Sequence, residues 1–249
     1  IRMKIKNHIP NFITLLNLFC GCLAIVAAFK YDLTIAALLV FAGGFFDYFD
    51  GTAARLLNAK SDIGKELDSL ADVVTFGVVP SIIVFQLFNQ NIADFPIFEN
   101  NKFLTFAPFL LALFSAIRLA KFNIDDRQTV SFLGLPTPAN AIFWASAPLI
   151  VYFSKNPLNF GSNFLILFLA DLFQNPYFLI SMTIIMSILL VVELPLFSLK
   201  FKDFNIKNNL FRFIFLILSL LLLITLNVSS LPIIILLYII LSIIQQITL

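Results

Sequence analysis

The sequence predicts an all-α protein, a polytopic bundle of helices that crosses a membrane several times. Of its 249 residues, 60% are hydrophobic and only 12% are charged, whereas soluble domains carry about 25% charged residues. The mean hydropathy is +0.99. The apolar segments are continuous and do not alternate with polar residues, which favours spanning helices over barrel strands. The net charge of +2 is too small to indicate nucleic acid binding.

A spanning helix needs roughly 20 mostly apolar residues, and we predict eight such segments. They lie at about 11–29, 34–58, 64–88, 102–121, 136–154, 177–197, 210–228 and 231–248. A further apolar piece, Phe164 to Leu172, is too short to span, and we expect it to lie in the membrane interface.

The basic residues predict the orientation, because cytoplasmic loops carry the excess of Lys and Arg. With the N-terminus inside, 13 of the 16 basic residues fall inside and the other 3 outside. The sequence therefore predicts a multi-pass protein of the cytoplasmic membrane with both termini inside. The inside group is Arg2, Lys4, Lys6, Arg55, Lys60, Lys65, Arg118, Lys121, Arg127, Lys200, Lys202, Lys207 and Arg212, and the outside group is Lys30, Lys102 and Lys155.

The stretch from Asp47 to Asp72 concentrates acidic residues in an otherwise apolar chain. Six of the 14 acidic residues lie there, namely Asp47, Asp50, Asp62, Glu66, Asp68 and Asp72. Spacings of three and four place Asp47, Asp50 and Ala54 on one helix face, and Gly64, Asp68 and Asp72 on another. Two helices joined by a polar turn, Leu57 to Asp62, can thus point four carboxylates into one space.

Four neighbouring carboxylates repel one another unless one or two divalent cations neutralise them. Oxygen ligands favour Mg²⁺, Mn²⁺ or Ca²⁺ over zinc, and two metals can clamp the attacking and leaving oxygens of a phosphoryl displacement. Arg55 adds a forked phosphate donor, and Gly51 and Gly64 allow close approach to the backbone. The alternative is a plain Asp50-Gly51 turn, but the regular spacing of acids inside apolar helices argues against it.

The pattern Asp47-x2-Asp50-Gly51-x2-Ala54-Arg55-x8-Gly64-x3-Asp68-x3-Asp72 resembles the full signature of the CDP-alcohol phosphatidyltransferases. The resemblance implies a six-helix membrane core that transfers a phosphatidyl group from a CDP-linked lipid to an alcohol and releases CMP. It also implies a homodimer. It implies two ions, Mg²⁺ or Mn²⁺, on Asp47, Asp50 and Asp68. It further implies that Asp72 approaches the metal and acts as the general base.

The resemblance also implies the residues that bind the CDP-lipid. They are Asp50, Gly51, Ala54, Arg55, Gly64 and Asn17. Asn17 belongs to an opening segment, Pro10 to Gly21, that is similar to one branch of the family, the phosphatidylserine synthases.

Three other segments resemble the same branch, namely Asp72–Gly77, Ser115–Asn123 and Gly134–Ala141, so the resemblance covers roughly residues 9–155. It implies CDP-diacylglycerol and L-serine as substrates. An arginine binds a carboxylate in forked geometry, so we expect Arg118 to bind serine. We predict that two further residues assist Arg118 in binding serine. They are Ser115, three residues earlier, and Asn123, just beyond the helix end. The alternative for Arg118 and Lys121 is that they only anchor the topology.

We therefore predict a catalytic core at residues 1–155, completed by the span at 177–197, and additional membrane helices at 198–249, with membrane lipids as further partners. Two alternatives remain open. The first keeps the chemistry with glycerol phosphate, inositol phosphate or choline as the acceptor. The second, a cation transporter, is disfavoured because transporters place the site near the membrane midplane between repeated halves.

Overall fold

The structure, a computed structural model, describes residues 8–59, 61–92, 95, 101–125, 132–156, 164–198 and 209–248. These residues are almost entirely helical, which confirms the all-α prediction. The helices are α1 His8–Phe29, α2 Leu33–Leu56, α3 Asp62–Asp72, α4 Val79–Asn91, α5 Leu110–Ile124, α6 Thr137–Lys155, α7 Phe164–Gln174, α8 Pro176–Val191, α9 Leu210–Leu226 and α10 Ser230–Thr248.

Short elements connect these helices. A π-helical turn, Val73–Val78, joins α3 to α4, and 3₁₀ turns at Lys102–Phe109 and Asn227–Ser229 precede α5 and α10. Strand β1, Phe132–Leu133, pairs antiparallel with β2, Pro195–Leu196. The π turn ends just before Pro80, which lacks an N–H and whose ring would crowd the carbonyl four residues earlier in a regular helix.

Polar caps fix where several helices begin. The side chain of Asp32 accepts from the amide of Ile35 at the start of α2. The Ser61 hydroxyl oxygen accepts from the amide of Gly64 at the start of α3. Such caps satisfy amides that have no partner within the helix. The Ser61 cap thereby sets the register of the helix that carries Asp68 and Asp72.

The described residues include five segments that are long and apolar enough to cross a membrane, or six if the bent pair α7 and α8 counts as one span. The five are His8–Phe29, Leu33–Leu56, Asp62–Asn91, Phe103–Ile124 and Leu210–Thr248. The protein is therefore a multi-pass membrane protein, as predicted.

The segment Leu210–Thr248 is a hairpin of two helices. The rings of Phe215 and Tyr238 are 5.6 Å apart, whereas 23 residues of one straight helix would separate them by about 35 Å. The backbone reverses at Asn227, whose φ is 50°. This agrees with the separate spans predicted at 210–228 and 231–248.

Helix α6, predicted as the span at 136–154, lies at the centre of the bundle. Eleven of its 19 residues are buried, and the rings of Phe143 and Phe173, in α7, are 5.8 Å apart. Because other helices surround α6, most of its surface faces protein and not lipid, and it does not need to be strongly apolar. The outer helices instead expose large apolar side chains, such as Phe12, Phe45 and Ile217, as expected where a helix faces lipid.

The predicted span at 177–197 is wrong at its C-terminal end, because α8 ends at Val191. A residue before proline disfavours the helical conformation, and Pro195 pairs with β1 instead. The short apolar piece from Phe164 forms helix α7, which meets α8 at an angle of 83°. Its position in the membrane interface stays a prediction, as does the division into a core at 1–155 and extra helices at 198–249.

The start of α1, the turn after α2 and the ends of α5, α8 and α10 meet at one end of the bundle. The Lys65 ammonium donates to the carbonyl of Asn123 at 2.7 Å, and the Gln246 amide donates to the carbonyl of Pro195 at 2.6 Å. This arrangement agrees with the predicted alternation of spans. Several residues used for the orientation lie outside the described residues, namely Arg2, Lys4, Lys6, Lys60, Arg127, Lys200, Lys202 and Lys207.

Small residues let α1, α2 and the π turn approach closely. A Cβ at Gly43 would lie 2.6 Å from the Thr75 Cγ2 atom and 2.9 Å from the Asn17 Oδ1 atom. A Cβ at Gly21 would lie 2.5 Å from the Thr75 hydroxyl oxygen. That hydroxyl donates to the backbone carbonyl of Asn17 at 3.1 Å. Because Thr75 and Asn17 are fully buried, neither can move aside easily.

We predict that Gly43→Ala destabilises the protein by about 1–3 kcal/mol, the usual cost of overpacking. Gly44→Ala is the matched control, since its Cβ would meet only the Phe76 ring at 3.8 Å. That change should be neutral or stabilising by up to about 1 kcal/mol, because alanine favours helices over glycine. Thermal unfolding in detergent measures both variants, and equal melting temperatures would contradict the close packing at Gly43.

Candidate active site at the carboxylate cluster

Helices α2 and α3 bring together the four aspartates of the motif, which we call the carboxylate cluster: Asp47, Asp50, Asp68 and Asp72. One carboxylate oxygen from each of Asp47, Asp50 and Asp68 lies within 4.8 Å of the others. The Asp47 carboxylate is also within hydrogen-bonding reach of Asp68 and Asp72. Asp50 and Asp72 are buried, at 6% and 7% exposure. The predicted convergence of the four side chains is confirmed.

Helix α1 supports the cluster with two polar side chains. The Thr14 hydroxyl donates to the Oδ2 atom of Asp50 at 2.7 Å, and it also lies 3.1 Å from the carbonyl of Pro10. The Asn17 amide donates to the Oδ1 atom of Asp72 at 3.2 Å. Sequence reasoning missed Thr14. The available signal was its spacing of three from Asn17, which puts two polar residues on one face of an apolar helix.

The residues of the cluster fit a divalent metal ion. All of the donors are oxygen atoms, the set that Mg²⁺ and Mn²⁺ prefer. The Oδ1 atom of Asp68 is buried and has no hydrogen-bond partner among the described residues, although a buried polar atom normally has one. A cation held between Asp47, Asp50 and Asp68 would provide that partner and would neutralise the repulsion among the carboxylates.

A cavity of about 410 Å³, which we call the aspartate-side cavity, opens beside Asp50 and Asp68. It is lined by Pro10, Asn11, Thr14, Asp50, Gly51, Ala54, Ala59, Ser61, Asp62, Gly64, Lys65 and Asp68. A Cβ placed at Gly51 would have no atom within 4 Å, so space for a ligand adjoins the backbone there. Four of the predicted CDP-lipid residues, Asp50, Gly51, Ala54 and Gly64, line this cavity.

The other two predicted CDP-lipid residues lie elsewhere. Arg55 is exposed, and its guanidinium donates to the Thr52 hydroxyl at 3.1 Å. Asn17 is fully buried and is bonded to Asp72. The basic side chain that lines the cavity is Lys65, which sequence reasoning did not assign to the CDP-lipid. Binding roles for Arg55 and Asn17 stay predictions.

A second cavity, of about 330 Å³, lies between α5, β1 and the end of α8, and we call it the arginine-side cavity. It is lined by Arg118, Lys121, Ile124, Asp125, Leu133, Leu190, Val191, Val192 and Glu193. Arg118 is 6% exposed, and its Nε atom has no hydrogen-bond partner among the described residues. It also lies close enough to Asp72 for the two charges to interact. The charge of a residue in this cavity therefore acts on the carboxylate cluster.

The two predicted helpers of Arg118 differ in their surroundings. The hydroxyl of Ser115 is buried without a partner in the described part of the chain. Asn123 lies inside α5, not just beyond its end as predicted, because the helix continues to Ile124. The Asn123 side-chain amide donates to the Ser69 hydroxyl at 2.9 Å, so it ties α5 to α3. Binding of serine by either residue stays a prediction.

The fold and the site define a polytopic membrane protein with an acidic, metal-competent site at one end of its helix bundle. The chain belongs to the CDP-alcohol phosphatidyltransferase family, because the model of that family matches residues 7–244. This confirms the family resemblance of the aspartate motif.

Several curated relatives carry the same name, CDP-diacylglycerol–serine O-phosphatidyltransferase. The protein from Bacillus subtilis (strain 168) is 40% identical over 156 residues, which are 61% of this chain and 79% of the relative. The protein from Helicobacter pylori (strain J99) is 39% identical over 53% of this chain and 54% of the relative. The Saccharomyces cerevisiae protein is 37% identical over 53% of this chain and 50% of the relative. The chain thus spans about half the length of the last two relatives.

We predict that Thr14→Val weakens Mn²⁺ binding by about 10- to 100-fold, the usual effect of removing a residue that orients a metal ligand. Valine keeps the shape of threonine but cannot donate to Asp50. Thr225→Val, at an exposed site on α9 whose hydroxyl donates to a backbone carbonyl, is the matched control. Titration of Mn²⁺ by electron paramagnetic resonance measures both variants. Equal affinities in the two would rule out a role of Thr14 in orienting Asp50.

Proposed function

We propose that the protein transfers a phosphatidyl group from CDP-diacylglycerol to the hydroxyl of L-serine, giving phosphatidylserine and CMP. The observation that carries this proposal is the carboxylate cluster, together with one cavity lined by two of its aspartates and a second cavity lined by Arg118. The names of the relatives support the choice of substrates, and the buried, incompletely paired guanidinium of Arg118 supports an acceptor that carries a carboxylate.

The aspartate-side cavity suits the diphosphate of the lipid donor. It contains the start of α3, where backbone amides and the helix dipole favour an anion, and Lys65 adds a basic residue to its lining. The open backbone at Gly51 leaves room for the nucleotide. Because apolar side chains cover the outer helices, the lipid tails can remain in the membrane while the headgroup reaches the cluster. We therefore place CDP-diacylglycerol on this side.

Asp47, Asp50 and Asp68 would hold the divalent ions, with Asp72 close to them. Bound Mg²⁺ or Mn²⁺, in two sites, would supply positive charge for the diphosphate and for the charge that develops on the leaving CMP. The Thr14 hydroxyl orients Asp50, and the Asn17 amide orients Asp72. The helices thus fix the carboxylates before the substrates arrive, which reduces the reorganisation needed during the reaction.

Asp72 is the proposed general base. The serine oxygen forms a bond to the phosphorus of the donor, the bond from that phosphorus to the CMP oxygen breaks, and the hydroxyl proton passes to Asp72. Arg118 lines the arginine-side cavity, and its charge interacts with that of Asp72. We therefore propose that Arg118 binds the serine carboxylate and orients the serine hydroxyl towards Asp72, as proton transfer requires.

We place this site at the cytoplasmic face of the cytoplasmic membrane, on the strength of the basic residues at the same end of the bundle as the cluster. Lys65, Lys121 and Arg212 are among them. The homodimer that the family resemblance implies is part of the same proposal.

An acceptor panel tests the function. The purified chain in detergent is given CDP-diacylglycerol, Mn²⁺ or Mg²⁺, and one labelled acceptor at a time: serine, glycerol phosphate, inositol phosphate or choline. We expect labelled lipid and CMP in equal amounts with serine. If product forms only with another acceptor, the serine assignment is refuted and the reaction class is retained. If no acceptor leads to release of CMP, the reaction class is refuted.

We predict that Asp72→Asn lowers the rate of CMP release by at least about 100-fold, the lower end of what a positioned base contributes, because an amide cannot take the serine proton. Binding of CDP-diacylglycerol should persist, since the aspartate-side cavity does not include Asp72. Asp171→Asn, at an exposed site on α7, is the matched control. Single-turnover CMP release and lipid binding measure both variants, and a near-normal rate in Asp72→Asn would exclude the base role.

A further inference from the structure

We propose that the arginine-side cavity recognises its acceptor as a zwitterion, with Arg118 binding the carboxylate and Glu193 binding the ammonium group. This inference rests on the proposed function and deepens it. It assigns a specificity role to Glu193, a residue outside the aspartate motif.

The cavity presents both signs of charge to one ligand. Arg118 and Lys121, from α5, bring positive charge, and Glu193, from the segment after α8, brings negative charge to the same cavity. Asp125 adds a second carboxylate, but it follows Lys121 by four residues near the end of α5, where the two charges are neighbours. A small molecule that carries both charges can therefore pair with both kinds of side chain at once.

The C-terminal end of α8 also favours the binding of a cation in the arginine-side cavity. The cavity is lined by Leu190, Val191 and Val192, which are the last residues of α8 and its cap. The C-terminus of a helix carries partial negative charge on carbonyls that have no partner within the helix, and it favours a positive group nearby. An ammonium at this wall would meet the helix end together with the Glu193 carboxylate.

Backbone contacts hold the segment of Glu193 in place. The amide of Gly134 donates to the carbonyl of Leu194 at 2.9 Å, and the amide of Leu135 donates to the carbonyl of Leu189 at 2.7 Å. Gly134 has a φ of 78°, and a Cβ there would lie 2.6 Å from the carbonyl oxygen of Leu190. A residue other than glycine could not make this close approach. Glu193 is therefore fixed at the rim of the cavity although its side chain is exposed.

The position of the cavity agrees with an acceptor site. Among the described residues, it shares no lining residue with the aspartate-side cavity, so donor and acceptor can be bound at the same time. Arg118 is buried, and an incompletely paired guanidinium is costly to bury, which favours a carboxylate ligand in forked geometry. With Arg118 near Asp72 and Glu193 at the rim, the carboxylate end of the acceptor lies inward and the ammonium end lies outward.

Kinetics of the purified full chain with CDP-diacylglycerol and serine test the inference. Glu193→Gln should raise the KM for serine by about tenfold, as expected for the loss of one charge-assisted hydrogen bond, with kcat changed less than about threefold. Glu193→Asp should retain part of the affinity. Asp171→Asn is the control and should leave both constants unchanged. A normal KM in Glu193→Gln, or a fall in kcat alone, would overturn the role of Glu193.

Two inhibitors separate charge recognition from a general disturbance of the cavity. Ethanolamine keeps the ammonium of serine and lacks the carboxylate, and 3-hydroxypropionate keeps the carboxylate and lacks the ammonium. Glu193→Gln should weaken inhibition by ethanolamine only, and Arg118→Ala should weaken inhibition by 3-hydroxypropionate only. Equal weakening of both by Glu193→Gln, or no inhibition of the unaltered protein by either compound, would contradict the proposal. Failure of serine itself as an acceptor would instead refute the proposed function, so the two failures differ.

Discussion

Four carboxylates share one small, largely buried space in this bundle, and their mutual repulsion is the constraint that the surrounding structure must accommodate. Two unit charges 4 Å apart repel by about 4 kcal/mol at an effective dielectric constant of 20. The oxygens of Asp47, Asp50 and Asp68 are within 4.8 Å of one another. Hydrogen-bond donors offset part of this repulsion, and a divalent cation held by the cluster would offset more of it.

Helix packing holds these charges together. Thr14 and Asn17 donate to two of the carboxylates, and they can do so because α1 lies directly against α2 and the π turn. Gly21 and Gly43 permit that contact, since a Cβ at either position would overlap Thr75. The small residues of the apolar helices therefore serve the polar site. Ion affinity and helix packing should respond together to changes at this crossing point.

The aspartate motif predicted the convergence of the four carboxylates, because its spacing of three and four residues on two adjacent helices leaves few other arrangements. The apolar segments predicted the helices, although α8 ends early since Pro195 pairs with β1. Contacts between distant segments could not be predicted. The bond from Thr14 to Asp50 and the presence of Arg118 and Glu193 in one cavity depend on how the helices cross, and the pattern of a single segment does not contain that information. The position of Asn123 within α5 was missed because a helix end in polar sequence has no sharp signal.

The account requires that donor and acceptor occupy the two cavities at once, so that serine attacks phosphorus directly, opposite the leaving CMP. The stereochemistry at phosphorus tests this most directly. A CDP-diacylglycerol made chiral at the reacting phosphorus by sulfur substitution is converted with serine, and the configuration of the product is read by phosphorus nuclear magnetic resonance. One direct displacement predicts inversion. Retention would contradict the account, because it would require a covalent phosphatidyl-enzyme intermediate and two successive displacements.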